Sequence, residues 1–390
     1  MMHKKGEKMV KFVCTSCGSL APGENAPSRC PSCGENGKYR STELEPTTLE
    51  EVRGRARDKL KNICAVYPIC DGAPDRICQK ENYGKAIGMG GIGLGRSFRN
   101  NYLALEAVHL KTRLVGASFE PDTTFTFGGL TLAMPIFGAS TSGMSQYNGA
   151  ITEMDFCRAT IQGCLAAGSL SWRGDTAFYR LDSHPGIESI EEAQGQGVPI
   201  FKPRKQEDLK QLIARAEAAG APAVGLDLDG AGSTNFARAG QPVYRKTPQE
   251  LQELVKSTRL PFIAKGVMDP DDAQACVEAG VALVVVSNHG GRVLDSTPGT
   301  AEVLPAIVDR VGHQVPVFVD GGIRNGNDVL KMLALGAKAV LIGRDVIRAA
   351  IGGGAVGVEL QLRHLHKTLK QAMVMTGCRD LASIGRHLLA

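Results

Sequence analysis

The sequence has no long apolar run. Across its 390 residues, no stretch approaches the roughly 20 apolar residues that a transmembrane helix needs. The opening residues, 1–8, are charged and lack the apolar segment of a secretory signal, which argues against export. Hydrophobic residues make up 43% of the chain, enough for an ample core. We therefore expect a cytoplasmic globular protein with no membrane partner.

The sequence also has little excess charge of either sign. Its 45 Lys and Arg residues against 40 Asp and Glu residues give a formal net charge of +5. So small an excess, spread evenly over the chain, does not indicate a nucleic-acid-binding protein. We expect an ordinary solvated surface and no nucleic-acid partner.

Four of the 11 cysteines form two CxxC pairs near the start. Cys14 and Cys17 make the first pair, Cys30 and Cys33 the second, and residues 18–29 separate them. This spacing lets two tight turns present four sulfurs tetrahedrally to one metal ion. A segment of about 30 residues buries too little surface to fold alone, so the ion should stabilise its folded state.

The sequence pattern alone leaves the metal open, because four thiolates suit both iron and zinc. Residues 12–34 resemble the rubredoxin-like domain that ends rubrerythrins. The resemblance implies an Fe(Cys)4 centre that carries one electron at a time, and a structural zinc ribbon is the alternative. Cys64, Cys70 and Cys78 have no fourth thiol nearby, so we interpret them as buried or adventitious thiols.

From Met134 onward, short apolar runs alternate with helical patterns, which is typical of βα units and a parallel sheet. Polar residues follow strand after strand, as the mouth of a closed barrel requires and an open sheet with one switch point does not. We predict an α/β fold, a (β/α)8 barrel with a small N-terminal four-cysteine metal domain. The predicted strands are 135–139, 169–172, 199–202, 223–227, 262–265, 283–287, 317–320 and 340–343. The predicted helices are 207–219, 248–258, 270–279, 300–311, 325–335 and 357–375, with a charged helix at 49–61.

We divide the chain into three segments. They are a rubredoxin-like metal domain at 9–41, a linker and helical segment at 42–83, and the barrel at 84–390. The glycine-rich stretch 88–95 does not match a dinucleotide-binding loop, because no strand precedes it directly. We interpret it as a flexible segment that covers the barrel mouth.

A histidine and an arginine follow one predicted strand on a glycine-rich loop, Ser287-Asn-His289-Gly-Gly-Arg292. A titratable base beside a fixed cation suits proton transfer and the binding of a carboxylate. Lys265 and Asp229 lie at the ends of other strands, where a charge needs a partner. Because a titratable group and a fixed cation lie on one loop, we favour a catalytic role for His289 over a structural one.

Two turns at the last two predicted strands combine glycine with arginine. Gly321 and Gly322 precede Arg324, and Gly343 precedes Arg344. Exposed backbone N–H groups, helix N-termini and guanidinium forks bind phosphate, and this corner of βα barrels is often used for it. We expect a phosphate-bearing ligand.

Together these motifs resemble the FMN-dependent 2-hydroxy-acid dehydrogenases and oxidases, the family that includes glycolate and lactate oxidases. The resemblance covers residues 84–390 and is strongest at 287–295, 320–324 and 341–344. It implies FMN over the barrel mouth, with Lys265 stabilising the reduced ring. The other implied cofactor contacts are Ala139, Ser140, Thr141, Ser287, Asp320, Gly322, Arg324, Gly343 and Arg344.

The resemblance also implies catalytic roles. His289 takes the substrate's hydroxyl proton, or the α-proton in a carbanion mechanism, and Asp229 pairs with it. Arg292 binds the carboxylate of the substrate, a small-molecule carboxylic acid. The reaction oxidises this 2-hydroxy acid to the 2-oxo acid. Electrons would pass from FMN to the Fe(Cys)4 centre and on to a redox protein. Related enzymes are commonly tetramers, so we expect a homo-oligomer.

The sequence departs from the family pattern around the substrate. Phe201 stands near the place of one family tyrosine, and the other falls at about Ile87. Arg238 is a distant candidate for a second substrate arginine. A different reaction on the FMN barrel, oxidative deamination or isomerisation, with a structural zinc ribbon, is therefore the alternative function.

Overall fold

The computed structural model describes residues 10–14, 19–23, 26–34, 36, 39–43, 45–60, 90–147, 149–233, 236 and 239–390. The chain divides into two compact units, Met1–Thr47 and Thr48–Ala390. Several residues singled out from the sequence lie outside the described residues. They are Cys17, Cys64, Cys70, Cys78, Ile87, Gly88 and Arg238.

The first unit contains a three-stranded antiparallel sheet. Its strands are β1 (Val10–Cys14), β2 (Leu20–Gly23) and β3 (Tyr39–Glu43), with β1 in the centre. Side chains alternate between the faces of a strand, so Phe12 and Cys14 share one face of β1. Both are buried.

The second unit is built on a closed barrel of eight parallel strands, which confirms the predicted (β/α)8 fold. Each strand pairs with the next in the chain, and the last pairs with the first through Val340 and Ile136. A short antiparallel hairpin, β4 (Phe125–Phe127) and β5 (Leu130–Leu132), precedes the barrel. The barrel strands are β6 (Ile136–Thr141), β7 (Ser171–Arg173), β8 (Val198–Phe201), β9 (Val224–Asp227), β10 (Phe262–Val267), β11 (Leu283–Val286), β12 (Val317–Asp320) and β13 (Ala339–Ile342).

Aromatic residues fill part of the barrel interior. Phe137, Trp172 and Phe318 come from three different strands and are almost fully buried. Phe127 of the hairpin packs against all three, with ring centroids 5.3 to 6.0 Å apart. The interior is therefore a packed core, and the hairpin belongs to it.

Most helices lie between the barrel strands, and six of the ten described begin with a side-chain cap. Thr247 and Asn325 form capping boxes with Glu250 and Asp328. The helices are α1 (Leu49–Lys59), α2 (Arg96–Glu106), α3 (Glu153–Ala166), α4 (Pro185–Glu192), α5 (Gln206–Ala218), α6 (Pro248–Lys256), α7 (Pro270–Glu278), α8 (Thr300–Val311), α9 (Gly326–Ala334) and α10 (Arg344–Thr376). None of these helices combines the length and apolar character that a membrane span needs.

Two boundaries differ from the sequence prediction. Helix α10 begins at Arg344 rather than near residue 357, and Gly353 and Gly354 break it locally. Helix α1, assigned to the linker segment 42–83, belongs to the barrel unit. Its Val52 is fully buried against Gly352 of α10, where a Cβ atom would lie 2.1 Å from the Val52 carbonyl oxygen. Helix α1 therefore packs on the barrel unit through a close contact with a glycine. The hydrophobic periodicity of the sequence does not reveal such a contact.

The described part of the glycine-rich stretch, Gly90–Gly95, lies beside the loop after β11. The Ile92 amide donates a hydrogen bond to the Gly291 carbonyl oxygen over 2.8 Å, and the Leu94 amide donates to Asp295 over 2.7 Å. Helix α2 starts immediately after Gly95. The segment therefore contacts the loop that carries His289.

Candidate active site

A large cleft opens where the barrel strands end. The cleft and the solvent space at its mouth together enclose about 1280 Å³. All eight parallel strands point their carboxyl ends to the same side, so the residues that follow them converge there. Most of the residues predicted from the sequence line this cleft. They are Ala139, Ser140, Thr141, Lys265, His289, Arg292, Asp320, Gly322, Arg324, Gly343 and Arg344.

Asp229 and Ser287 support lining residues by hydrogen bonds. His289 Nδ1 lies 2.9 Å from Asp229 Oδ1. Lys265 Nζ donates to Ser287 Oγ over 3.3 Å. The structure therefore brings every predicted barrel-site residue to one end of the barrel.

His289 is oriented through both ring nitrogens. Its Nδ1 faces the Asp229 carboxylate, and its Nε2 lies 3.2 Å from Lys202 Nζ. A lysine ammonium can only donate, so Nε2 is the acceptor and the proton of the neutral ring sits on Nδ1. The backbone of His289 has φ of +56°, a left-handed conformation that non-glycine residues seldom adopt. The contacts thus place the lone pair of the neutral imidazole at Nε2.

A cluster of buried charges surrounds this histidine. Asp227, the last residue of β9, accepts hydrogen bonds from Lys202 Nζ and, over 3.1 Å, from Lys265 Nζ. Lys265 also lies 3.6 Å from Asp320 Oδ2. Burial raises the pKa of Asp227, but Lys202, Lys265 and His289 together hold it well below its ordinary value. Burial lowers the pKa of Lys265, but Asp227, Asp320 and Asp229 outweigh it and raise that pKa. Both groups are therefore charged in the folded protein.

Two glycines let this cluster pack closely. Gly266 has φ of +90°, and a Cβ atom on it would lie 2.5 Å from Asp229 Cγ. A Cβ atom on Gly230 would lie 2.6 Å from Lys202 Cδ. Larger residues at either position would displace a charged side chain from its partner.

Arg292 reaches the cleft from the same loop as His289. Its guanidinium donates to Tyr147 Oη over 3.2 Å and to Gln146 Oε1 over 3.4 Å. Tyr147 and Gln146 come from the loop after β6 and line the same cleft. A phenol hydroxyl and a guanidinium fork side by side can bind a carboxylate.

Two further arginines lie at the ends of β12 and β13. Arg344 stacks over the Phe98 ring at 4.5 Å and donates to the Gly290 carbonyl oxygen over 2.8 Å. Burial lowers the pKa of Arg344 to about 10, which leaves it charged at neutral pH. Arg324 pairs with Asp345 over 3.1 Å and donates to Tyr102 Oη. These contacts fix the two guanidinium groups in the cleft.

Several buried polar atoms of the cleft fit a flavin nucleotide. Ser140 Oγ, Thr141 Oγ1 and Asp320 Oδ1 have no hydrogen-bond partner within the described part of the chain. Leaving such an atom unpaired costs about 1 to 3 kcal/mol. The hydroxyl groups and ring heteroatoms of FMN are suitable partners for these atoms, and its phosphate suits the two arginines. The residues present therefore fit this cofactor.

A separate cysteine cluster lies in the first unit. The sulfur atoms of Cys14, Cys30 and Cys33 lie within 4.8 Å of one another, and those of Cys14 and Cys33 are 3.7 Å apart. In a tetrahedral site with metal–sulfur bonds of about 2.3 Å, sulfur atoms are about 3.8 Å apart. Ser19 Oγ lies 3.1 Å from Cys30 Sγ. The three described thiols are therefore close enough together to hold one metal ion.

The structure also adds residues that the sequence analysis does not single out. Lys202 and Asp227 end or follow predicted strands, so the same rule that singled out Lys265 points to them as well. Tyr147 and Gln146 follow no strand directly and carry no such signal. Phe201, near an expected tyrosine, is fully buried and packs against the His184 ring at 5.4 Å.

Comparison with known proteins agrees with this geometry. The model of the family described as FMN-dependent dehydrogenase matches residues 85–241 and 236–390. Glycolate oxidase 1 of Zea mays is 31% identical over 387 residues, covering 88% of this chain and 96% of that protein. An L-lactate oxidase of Lacticaseibacillus rhamnosus is 29% identical over 343 residues, covering 77% of this chain and 89% of that protein.

Solved structures are similar as well. Mandelate oxidase with (S)-2-phenylpropionate is 28% identical with a TM-score of 0.68, covering 88% of this chain and 98% of that one. A mandelate oxidase variant with an FMN adduct is 29% identical with a TM-score of 0.64, covering 76% of this chain and 91% of that one.

Proposed function

This chain belongs to the FMN-dependent dehydrogenase family and is an FMN-dependent oxidoreductase of hydroxy acids, and we propose that it oxidises a 2-hydroxy acid with His289 as the base. The observation that carries the proposal is the contact of 2.9 Å between His289 Nδ1 and Asp229 Oδ1. When bound, FMN accepts the two electrons and the C2 hydrogen that leave the substrate as the 2-oxo acid forms.

His289 takes the proton of the substrate hydroxyl at Nε2. This atom lies on the side of the cleft and carries the lone pair of the neutral ring. Once protonated, the imidazolium is stabilised by Asp229 and by Asp227, whose Oδ2 lies 3.4 Å from Nδ1. A base held by a carboxylate in this way transfers a proton without reorienting.

Arg292 binds the substrate carboxylate. Its neighbours Tyr147 and Gln146 hold the guanidinium at the cleft, and the Tyr147 hydroxyl can donate to the same carboxylate. Arginine suits this task because its planar fork matches the two carboxylate oxygens. The substrate hydroxyl would then lie between the Arg292 loop and the flavin site.

The residues at the ends of β6 and β10 to β13 would hold FMN. Arg324, Arg344, Gly322 and Gly343 would bind its phosphate, and Asp320 would bind its ribityl hydroxyls. Lys265 stabilises negative charge on the reduced ring, because Asp227 and Asp320 keep its ammonium charged. The remaining ring contacts are Ala139, Ser140, Thr141 and, through Lys265, Ser287.

The cysteine cluster would hold iron, and this centre would supply one-electron chemistry by accepting electrons from reduced FMN. The spacing of the three described thiols supports a four-thiolate metal site with Cys17 as the fourth ligand, and the resemblance to rubredoxin-like domains favours iron in it. A redox protein would be the final acceptor, and oxygen a poor one. The expected cytoplasmic location and tetrameric assembly remain predictions.

An anaerobic titration tests both parts of the proposal. The purified protein is analysed for iron, zinc and FMN, then mixed without oxygen with glycolate, L-lactate or mandelate. The flavin absorbance should bleach first, followed by the ferric thiolate absorbance. An iron band that persists beside fully reduced flavin would refute internal transfer, and zinc in place of iron would make the cluster structural. Bleaching by amines but by no hydroxy acid would favour oxidative deamination instead.

A further inference from the structure

Lys202 is a charged residue of the cleft that the roles above leave unused. It follows β8 directly, is 8% exposed, and its side chain lines the cleft. We propose that Lys202 is a catalytic residue that donates a hydrogen bond to the C2 oxygen of the substrate while His289 removes the proton of that oxygen. The proposal rests on the proposed function, because it takes His289 as the base.

The distance between the two nitrogens places Lys202 at the reacting oxygen. Lys202 Nζ lies 3.2 Å from His289 Nε2. A hydroxyl that gives its proton to Nε2 must approach that atom to about 2.6 to 3.2 Å. An oxygen placed so on the open side of the cleft comes within hydrogen-bond reach of Lys202 Nζ as well.

The charge of Lys202 suits this task. Its ammonium donates a hydrogen bond to the buried Asp227 carboxylate, whose pKa is held well below its ordinary value. An ammonium has three hydrogens and no acceptor. Lys202 therefore offers the substrate oxygen a charged hydrogen bond without giving up a proton.

The proton transfer itself releases a donor of Lys202. Before the transfer, Nε2 of His289 accepts a hydrogen bond from the ammonium. As the substrate O–H bond breaks and an N–H bond forms at Nε2, that nitrogen can no longer accept. The ammonium hydrogen then turns to the substrate oxygen, which has just become negative. The Lys202 ammonium thus stabilises the negative charge that develops on the substrate oxygen. Because this donor is already in place, it lowers the activation barrier without reorganisation of the site.

The backbone around Lys202 holds it in this position. Its amide donates to Asp175 Oδ2 over 3.0 Å, and Arg204 binds the same carboxylate. Gly230 leaves room for the aliphatic stem, since a Cβ atom there would lie 2.6 Å from Lys202 Cδ. The neighbouring side chain of Phe201 is buried in the core. At this end of β8, the Lys202 side chain therefore lines the cleft.

A purely structural reading is that Lys202 only neutralises Asp227. The experiment that separates the two readings compares Lys202→Met with the wild type and with Lys205→Met, which removes an exposed lysine charge three residues away. The substrate is whichever of glycolate, L-lactate and mandelate the wild type oxidises best. The probes are its 2-oxo product and the acid that lacks the hydroxyl, namely acetate, propionate or phenylacetate.

With Lys202→Met we expect kcat to fall about 100-fold, the usual cost of removing one donor to a developing oxyanion. The dissociation constant of the 2-oxo acid, measured by calorimetry on the FMN-loaded protein, should rise about tenfold. That of the acid without the hydroxyl should change less than twofold. Lys205→Met should match the wild type in all three measurements.

The proposal is overturned if Lys202→Met keeps kcat within threefold of the wild type, or if both acids lose affinity equally. If Lys202→Met does not fold, the same comparison is made on Lys202→Arg, which keeps the charge but moves its donors. A wild type that oxidises no 2-hydroxy acid refutes the proposed function, and Lys202 loses its role with it. A normal Lys202→Met beside an inactive His289→Gln refutes this inference alone.

Discussion

His289 Nδ1 lies 2.9 Å from Asp229 Oδ1, although 60 positions separate the two residues in the chain. The two residues follow β11 and β9, and Gly266 within β10 leaves room for the Asp229 carboxylate because it has no side chain. The contact decides which ring nitrogen carries the proton and which faces the cleft. The proposed chemistry depends on this orientation.

Replacing Asp229 by Asn should impair this orientation. The amide keeps the size of the carboxylate but neither stabilises an imidazolium nor fixes the proton on Nδ1. We expect the rate of anaerobic flavin reduction by the substrate to fall about 100-fold, within the range that a general base contributes. Asp271→Asn, an exposed change on α7, is the control and should not alter the rate. Equal rates for Asp229→Asn and the wild type would remove Asp229 from the mechanism.

Replacing Arg292 by Met should act mainly on substrate binding. A charge-assisted hydrogen bond contributes about 1.5 to 3 kcal/mol, so KM should rise about 10- to 100-fold. The variant Arg292→Lys should retain only part of the affinity, because an ammonium lacks the planar fork. Steady-state kinetics of both variants measure this, with the exposed Arg180→Met as control. An unchanged KM would show that the carboxylate binds elsewhere.

Replacing Arg344 by Gln tests the phosphate site. Arg344 also donates to the Gly290 carbonyl oxygen, so the variant is titrated with both FMN and riboflavin, which lacks the phosphate. We expect the affinity for FMN to fall about 10- to 100-fold, from the loss of a charged hydrogen bond, with riboflavin binding nearly unchanged. If the affinity for riboflavin falls as much as the affinity for FMN, Arg344 supports the loop at Gly290 and does not bind phosphate.

Asp175 should make folding stability depend on acid pH. Burial raises the pKa of this carboxyl, but the His184 ring at 3.5 Å and the hydrogen bonds from Arg204 outweigh it, and the pKa is about 2. Because this lies below the unfolded value of about 3.9, the contribution is complete above about pH 4 and is lost as the pH falls toward 2. It amounts to about 2 kcal/mol of unfolding free energy. Urea unfolding from pH 5 to pH 2.5 measures it, and Asp175→Asn should lose less stability than the wild type over that range. Parallel losses in the two proteins would refute the assignment.

The sequence predicts the barrel well because its strands are local features. Each strand is a short apolar run with turn residues around it, and the polar residues after the strands indicate closure. The extent of α10 is harder to predict, because its glycines suggest that the helix breaks there. The structure uses Gly352 differently, since a residue without a side chain lets the backbone of α1 pack closely against α10.

The candidate site is only partly predictable. His289, Arg292 and Arg344 stand out because glycines and cations gather beside them in the sequence. Lys202 ends a predicted strand and Tyr147 follows none, and the roles of both depend on contacts with His289 and Arg292, which lie 87 and 145 positions away in the chain. Such long-range pairs depend on barrel closure, which brings the strand ends together but leaves no local pattern.

The central claim is that His289 is the base that removes the substrate's proton beside bound FMN. Its most direct test is stopped-flow measurement of flavin reduction without oxygen, using the best 2-hydroxy acid, in the wild type and in His289→Gln. The account predicts that the variant binds FMN as tightly as the wild type and is reduced about 10²- to 10⁴-fold more slowly. Reduction of His289→Gln within tenfold of the wild-type rate would contradict it.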